Sequence, residues 1–462
     1  MTSIILLSVF GIVNLFAGFA KNKQVLLPLV LVFLAIVFGV NLLDWNNTQT
    51  YFSNMLTIDN YAVAFTGIMT LTTLLLLPFS QKYISNNDAN LGEYYSLMLF
   101  ALVGAVMMVG YENLIMLFIG VEIMSIAMYV LAGSDKTSLR SNEAALKYFL
   151  MGSFFTGIML FGIVLIYAAT GTFNITEISA AQASALSEGL PDSIFVMGIL
   201  ILVIGISFKI SAAPFHFWAP DVYEGTPTLF TAFMSTVVKT AGVAAFYKLM
   251  VAAFAASYAA WFPTLVAITV LTLVIGNIGA VIQTSFKRMM AYSSISHAGY
   301  MLMALIAFNE SSDKSILFYS AAYSSASIAA FGVLKLVQDQ RRSHLYEAFN
   351  GLGKTNPLLA FTMTVSMLSL GGIPLTAGFF GKFFVFSAVL ANPDMLWLVV
   401  LAVVLAAVGI YYYLRVVIAM YMQPAANYDT IRVNSFSSFT LIVLTVLTIL
   451  LGIAPALVSE LL

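Results

Sequence analysis

Four ionisable side chains stand in apolar runs that have no ordinary use for them. Glu122 lies at the centre of LFIGVEIMSIAMYV and Lys239 at the centre of FMSTVVKTAGV. Lys209 precedes a proline in GISFKISAAP, and Lys382 follows Pro374 by eight residues in SLGGIPLTAGFFGKFF. If these runs cross a bilayer, each charge at its centre costs about 2.5–3.5 kcal/mol. The four together then cost on the order of 10 kcal/mol, comparable to the stability of a whole domain. Burial disfavours the charged form of a lysine and a nearby carboxylate restores it. An amine so placed takes up or releases a proton when a counter-charge moves, and several in series, joined by water, would form a proton relay. His216 and His297 could serve as further stations, because imidazole titrates near neutrality.

Each group also has a plainer reading. A buried Glu122–Lys209 pair could only fix helix register, and lone membrane histidines are commonly hydrogen-bonded packing residues. Lys147 lies four residues after Glu143, the spacing of an ordinary helix-surface pair. Lys248 and Lys335 read as lysines that snorkel from helix ends, and Arg415 admits that reading as readily as a functional one. Lys239 and Lys382 have no carboxylate in their own segments, so they fit a structural role least well.

The elements that hold these residues follow from composition. Of 462 residues, 61% are hydrophobic and 8% are charged, against about 25% charged in a soluble domain. The chain is therefore an all-α integral membrane protein, since its apolar runs are too long for membrane strands of about ten residues. Apolar sequence starts at Ile4 with no Lys or Arg before it, so the first span is expected to persist rather than be cleaved as a signal. With no cysteine there is no disulfide, iron–sulfur ligation or thiolate zinc site. Nineteen basic residues balance 20 acidic ones, which gives no sign of a nucleic-acid partner. The GLGKT run at 351–355 has Ala348 where a phosphate loop needs its first glycine, so no nucleotide site is expected.

A window of roughly 20 residues gives 14 candidate spans. With the N-terminus outside, twelve basic residues fall on inside connections or their helix ends: Lys21, Lys23, Lys82, Lys136, Arg140, Lys147, Lys287, Arg288, Arg341, Arg342, Lys354 and Arg432. Only Lys314 falls on an outside one, the asymmetry that a correct span count demands. Both termini are then expected outside. The connection over 171–192 has room for a short surface helix. Span 7 carries Pro214 and Pro220, and span 12 carries Gly371, Gly372 and Pro374, so both should break near the middle. Five spans apart, they run in opposite directions, as in two inverted five-helix units. The expected division is 1–92 (spans 1–3), 93–255 (spans 4–8), 256–421 (spans 9–13) and 422–462 (span 14).

Several stretches resemble a known family. EAALKYFLMGSF at 143–154, FKISAAPFHFWAPDVYEGTP at 208–227, KRMMAYSSISHAGYML at 287–302, LSLGGIPLTAGFFGKFFVF at 368–386 and YYYLRVV at 411–417 are similar to the antiporter-like membrane subunits of respiratory complex I, the proton-pumping NADH:quinone oxidoreductase. PDVYEGTP and YSSISH point to the subunit N branch. A subunit L would end in a long lateral helix, and a subunit M has glutamate where Lys382 stands. The resemblance implies a proton relay of Glu122, Lys209, Lys239 and Lys382, with Lys147, His216, His297 and Arg415 in secondary roles. It also implies a bacterial inner-membrane location and no cofactor in this chain, with NADH, flavin, iron–sulfur clusters and quinone held by partner subunits. The expected neighbours are subunit M, small membrane subunits and lipids. Lys335 and Glu112 are not features of that pattern and are expected to be surface or snorkelling groups. The alternatives are a subunit of a sodium/proton antiporter or of a hydrogenase-linked membrane arm.

Overall fold

The computed structural model describes residues 1–80, 83, 90–187, 193–424 and 430–461. Lys82, assigned above to an inside connection, lies outside the described residues. The chain opens with α1 Thr2–Ala17, α2 Leu26–Leu43, α3 Asn60–Leu76, α4 Leu91–Gly110, α5 Leu114–Ala132 and α6 Leu139–Thr170. Next come α7 Ile175–Ser187 in the expected 171–192 connection, α8 Ser193–Lys209, α9 Ala219–Gly225, α10 Thr228–Phe233 and α11 Lys239–Ala252. The second half runs through α12 Tyr258–Val281, α13 Phe286–Ala307, α14 Ser312–Arg341, α15 Leu352–Thr355, α16 Pro357–Gly371 and α17 Ala377–Leu390. It closes with α18 Leu396–Met422, α19 Ser435–Ile453 and α20 Ala456–Ser459.

Ten helical stretches among the described residues are long and apolar enough to cross a membrane, and α1, α8, α16 and α17 are shorter apolar helices. Their starts follow local chemistry. Asp59 caps α3 by accepting from the Ala62 amide, and Asn113 caps α5 by accepting from that of Ile115, each satisfying an orphan donor. One short antiparallel ladder was not anticipated: β1 Gln49–Tyr51 pairs with β2 Leu56–Ile58. It closes through Phe52, Ser53 and Asn54, all at positive φ.

Burial sorts the helices. The apolar windows within 228–252 and 312–341 are 100% and 94% buried, whereas those of α6 and α18 are 33% buried. The two inner segments are also rich in Ser, Thr and Lys, which an outer helix facing hydrocarbon could not carry cheaply. Alternate connections gather at opposite ends. Ser134, Ser138, Thr226, Lys287, Gln338 and His344 line one cavity at what is here termed the basic end. At the other end the Leu114 amide donates to the Phe173 carbonyl and the Glu112 amide to that of Met55.

Both expected breaks are present. After α8 the chain leaves the helix over 210–218, with Ser211 at φ 62°. Freed backbone groups find side chains: the Ala213 amide donates to Thr272 Oγ1 on α12, and Trp218 Nε1 donates to the Phe208 carbonyl. Between α16 and α17, Gly372 has φ 83° and the Gly378 amide donates to Ser369 Oγ. A third irregularity has no proline or glycine to mark it. Met234–Val238 form a π-helical turn immediately before Lys239, with the Thr236 hydroxyl donating back to the Ala232 carbonyl.

Candidate functional site: buried amines along one line of helices

Lys209 ends α8 at the first break, which turns its side chain into the protein. Its ammonium donates to Ser125 Oγ at 2.7 Å and lies 5.9 Å from the Tyr148 ring centroid. Ser125 stands one turn after Glu122 on α5, and its hydroxyl donates to the Val121 carbonyl. Glu122 is partly buried and its Oε1 makes no hydrogen bond. The contact expected between Glu122 and Lys209 is thus made by Ser125, because a serine one turn along the same helix reaches the amine first. A cavity of about 20 Å³ lies between Ser125, Thr156, Lys209 and Gly242.

Gly242 gives the link to the next amine. A Cβ there would stand 3.9 Å from Lys209 Cγ, so the stem of Lys209 runs beside α11 one turn beyond Lys239. Lys239, 2% exposed, donates to the carbonyl of Ser294 on α13. One turn further along α13, His297 shares a 2.7 Å hydrogen bond with the Tyr319 hydroxyl through Nδ1. Its Nε2 shares one of 3.1 Å with that of Tyr413, which in turn bonds Ser293. Another turn on, the Tyr300 ring lies 5.0 Å below the Lys382 ammonium. Lys382 donates to the carbonyls of Leu370 at 3.1 Å and Gly371 at 2.8 Å. These are end carbonyls of α16, left free by the break and carrying the negative end of its dipole. The second break therefore builds the seat of Lys382. A cavity of about 10 Å³ lies among His297, Tyr319, Tyr323 and Gly381.

The other expected residues divide. Lys147 does pair with Glu143 at i,i+4, and it also reaches Asp221 at 2.7 Å, so its surface pair is one link of a chain. Asp221 accepts from Arg288, Arg288 donates to Glu224, and Glu224 meets His344. His216 lies within the first break between exposed Pro214 and Phe217, with its Nδ1 unpartnered, and not among the residues around Lys239. Arg415 donates to the carbonyls of Val281 and Gln283 and stacks on Tyr346, so it caps the end of α12.

Two surface expectations are corrected. Lys335 is buried and ion-paired with Asp339, because α14 is enclosed almost to its end. Glu112 and Lys248, expected at the surface or snorkelling, pair with each other at 2.9 Å beside the Tyr111 ring.

One residue was missed. Lys287 was counted with the inside connections, yet it is 2% exposed. Its ammonium donates to the Thr226 carbonyl at 2.7 Å and the Glu224 carbonyl at 3.4 Å. It lines a polar cavity of about 660 Å³ with Arg140, Glu224, Lys335, Asp339 and His344. Burial and the nearby Lys287 hold the His344 imidazole below its ordinary value, with Glu224 acting in the opposite sense. The carboxylates of PDVYEGTP were the available signal that charge gathers there. Among the described residues no group of three or more His, Cys, Asp or Glu side chains could hold a metal ion.

Comparison with known proteins gives a consistent picture. A family model described as "NADH:quinone oxidoreductase/Mrp antiporter, TM" matches residues 112–409. A protein of Cytophaga hutchinsonii named NADH-quinone oxidoreductase subunit N is 41% identical over 98% of both chains. A chain of respiratory complex I from Thermus thermophilus, solved with bound aureothin, superposes with a TM-score of 0.84 at 30% identity over 99% of this chain and 98% of its own. A chain of the Mrp complex from Dietzia shares the fold at TM-score 0.85 and 20% identity, covering 100% and 96%.

Proposed function

The chain belongs to the NADH:quinone oxidoreductase/Mrp antiporter transmembrane family, in its subunit N branch, and from that premise we propose that Glu122, Lys209, Lys239 and Lys382 carry protons along its midplane. The protein is a multi-pass, proton-translocating membrane subunit of NADH-quinone oxidoreductase and works within a multi-subunit complex beside other antiporter-like subunits. Redox chemistry takes place elsewhere: NADH, flavin, iron–sulfur clusters and quinone belong to partner subunits, and subunit M and small membrane subunits are its neighbours. The location is the bacterial inner membrane with both termini on the outer side. Ten long helices, α13 and the shorter apolar segments make fourteen crossings, with inverted units at 93–255 and 256–421 flanked by 1–92 and 422–462.

The observation that carries the relay is the seating of the buried amines. Lys239 and Lys382 touch backbone carbonyls and, among the described residues, no carboxylate, and His297 on α13 lies between them, bonded to Tyr319 of α14 and Tyr413 of α18. A carbonyl holds an ammonium without fixing its charge as an ion pair would, so either amine can exist in both protonation states. Remote quinone reduction shifts charge at the neighbouring subunit, and Glu122 moves toward or away from Lys209. The change at Lys209 sends the proton of Lys239 through Tyr413, His297 and Tyr319 toward Lys382. The cavities beside Lys209 and beside His297 have room for about one water each, which supports short hops rather than a continuous channel. Lys147, His216 and Arg415 act at the margins: the first in the charge chain at the basic end, the others through the first break and the cap of α12.

The test is Lys239→Ala in the assembled complex in vesicles. NADH-driven proton uptake should fall by roughly ten-fold or more, the scale of a lost proton-transfer group. Full uptake with full quinone reduction would refute the relay.

A further inference from the structure

The basic residues of this chain fall into two classes by what holds them. Lys147, Lys248, Arg288 and Lys335 each touch a carboxylate. Lys239 and Lys382 are buried and bond carbonyls and, among the described residues, no carboxylate, and these two the relay uses. Lys287 belongs to the second class. It is as deeply buried as Lys239, and its ammonium bonds the carbonyls of Thr226 and Glu224.

Its position gives the amine a task. On one side lies the polar cavity at the basic end, large enough for many waters. Among the other ionisable groups around it, Lys335 is paired with Asp339, and the Glu224 carboxylate meets Arg288 and His344. On the other side, α13 runs seven residues from Lys287 to Ser294, about 10 Å at 1.5 Å per residue. That interval is lined with hydroxyls. Thr231 donates to the carbonyls of Tyr223 and Thr226, the second of which also holds Lys287. The Tyr223 hydroxyl lies 3.4 Å from Ser294 Oγ, and the Tyr323 hydroxyl faces Ser235, Ser294 and Ser327. The carbonyl of Ser294 holds Lys239. Ser235 and Thr236 stand in the π-helical turn Met234–Val238 that immediately precedes Lys239.

We propose that Lys287 is the loading amine of the relay: it takes each proton from the water of the basic-end cavity and delivers it to Lys239 along the hydroxyls of Thr231, Tyr223, Ser294 and Tyr323. The step is balanced within the chain. A proton from the aqueous phase binds the neutral Lys287 amine; the resulting ammonium gives that proton to the neutral Lys239 amine; Lys287 returns to its starting form. No oxidant, metal or co-reactant is needed. Lys335, fixed in its ion pair, stays charged and sets the field of the cavity.

This inference rests on the midplane relay, and the experiment separates the two. In the assembled complex in vesicles, Lys287→Arg keeps the charge and can bond the same carbonyls, but a guanidinium does not release its proton. A structural lysine tolerates that change and a loading amine does not, so NADH-driven proton uptake should fall by roughly ten-fold. Because the chain has no cysteine, Lys287→Cys offers a second, independent reading. Alkylation with 2-bromoethylamine restores an amine at the same place and should restore uptake, whereas iodoacetamide, which adds a neutral amide, should not. Near-normal uptake by Lys287→Arg, or equal recovery with both alkylating reagents, overturns the loading role. If that happens while Lys239→Ala still blocks uptake, the midplane relay stands and only its entry is misassigned. If both variants pump normally, the relay itself falls.

Discussion

At the scale of single residues, the decisive property is the nature of the atom that meets each buried amine. Ser125 is the clearest case, since it places a neutral oxygen between the Lys209 amine and the side chain of Glu122. Ser125→Ala withdraws from the Lys209 ammonium a hydrogen bond worth about 1.5–3 kcal/mol. Ser125→Thr keeps the hydroxyl. NADH-driven proton uptake by vesicles should therefore fall several-fold in the alanine variant and hold in the threonine variant; equal rates in both would remove Ser125 from the mechanism. Residue identity made part of this site legible. A charge inside a long apolar run is rare enough that Glu122, Lys209, Lys239 and Lys382 stood out at once. Lys287 did not, because it sits at the start of a helix, where sequence cannot distinguish a topological marker from a buried amine. Only the packing of α9 and the following Thr226 against it makes the difference. Arg415 shows the reverse: its charge was conspicuous, yet its partners are the end carbonyls of α12.

At the scale of elements, the broken helices turn backbone atoms into binding groups. Proline and glycine announced both breaks, and the carbonyls that seat Lys382 follow from the second. The π-helical turn before Lys239 was invisible, because MSTVV breaks no rule of helical sequence and the turn arises from packing. Gly372 joins the two kinds of information. Its φ of 83° suits glycine, and a Cβ there would stand 2.8 Å from Lys382 Cδ. Gly171, at the end of α6, shares the strained backbone with φ 73° but has nothing within 4 Å of its Cβ position. Alanine at either position costs about 1–2 kcal/mol in backbone strain, so both variants should lose similar thermal stability. Only Gly372→Ala should also lose proton uptake, since only there does the new methyl group displace the amine. A parallel loss of uptake in Gly171→Ala would mean that stability, not the placement of Lys382, is being measured.

At the scale of the whole molecule, direction is set by where the charges end up. The alternation read from basic residues required connections near 134–138, 226–227, 282–285 and 342–351 to share one end, and residues from those connections or the helix ends beside them line the basic-end cavity. The opposite end holds the connections near 111–113 and 171–174, joined by backbone hydrogen bonds. A lysine that loads from the basic end is useful for outward pumping only if that end faces the cytoplasm, so orientation and mechanism stand together. The absence of cysteine makes the question direct. Thr2→Cys and Glu460→Cys lie at exposed positions near the two termini, and Lys354→Cys lies exposed on α15, after the 342–351 connection. In intact cells stripped of their outer layers, a membrane-impermeant maleimide should modify the first two and spare the third. Inverted vesicles should give the opposite pattern. If Lys354→Cys were modified from outside, the cavity would open toward the side to which protons are delivered, and Lys287 would be an exit amine rather than a loading one.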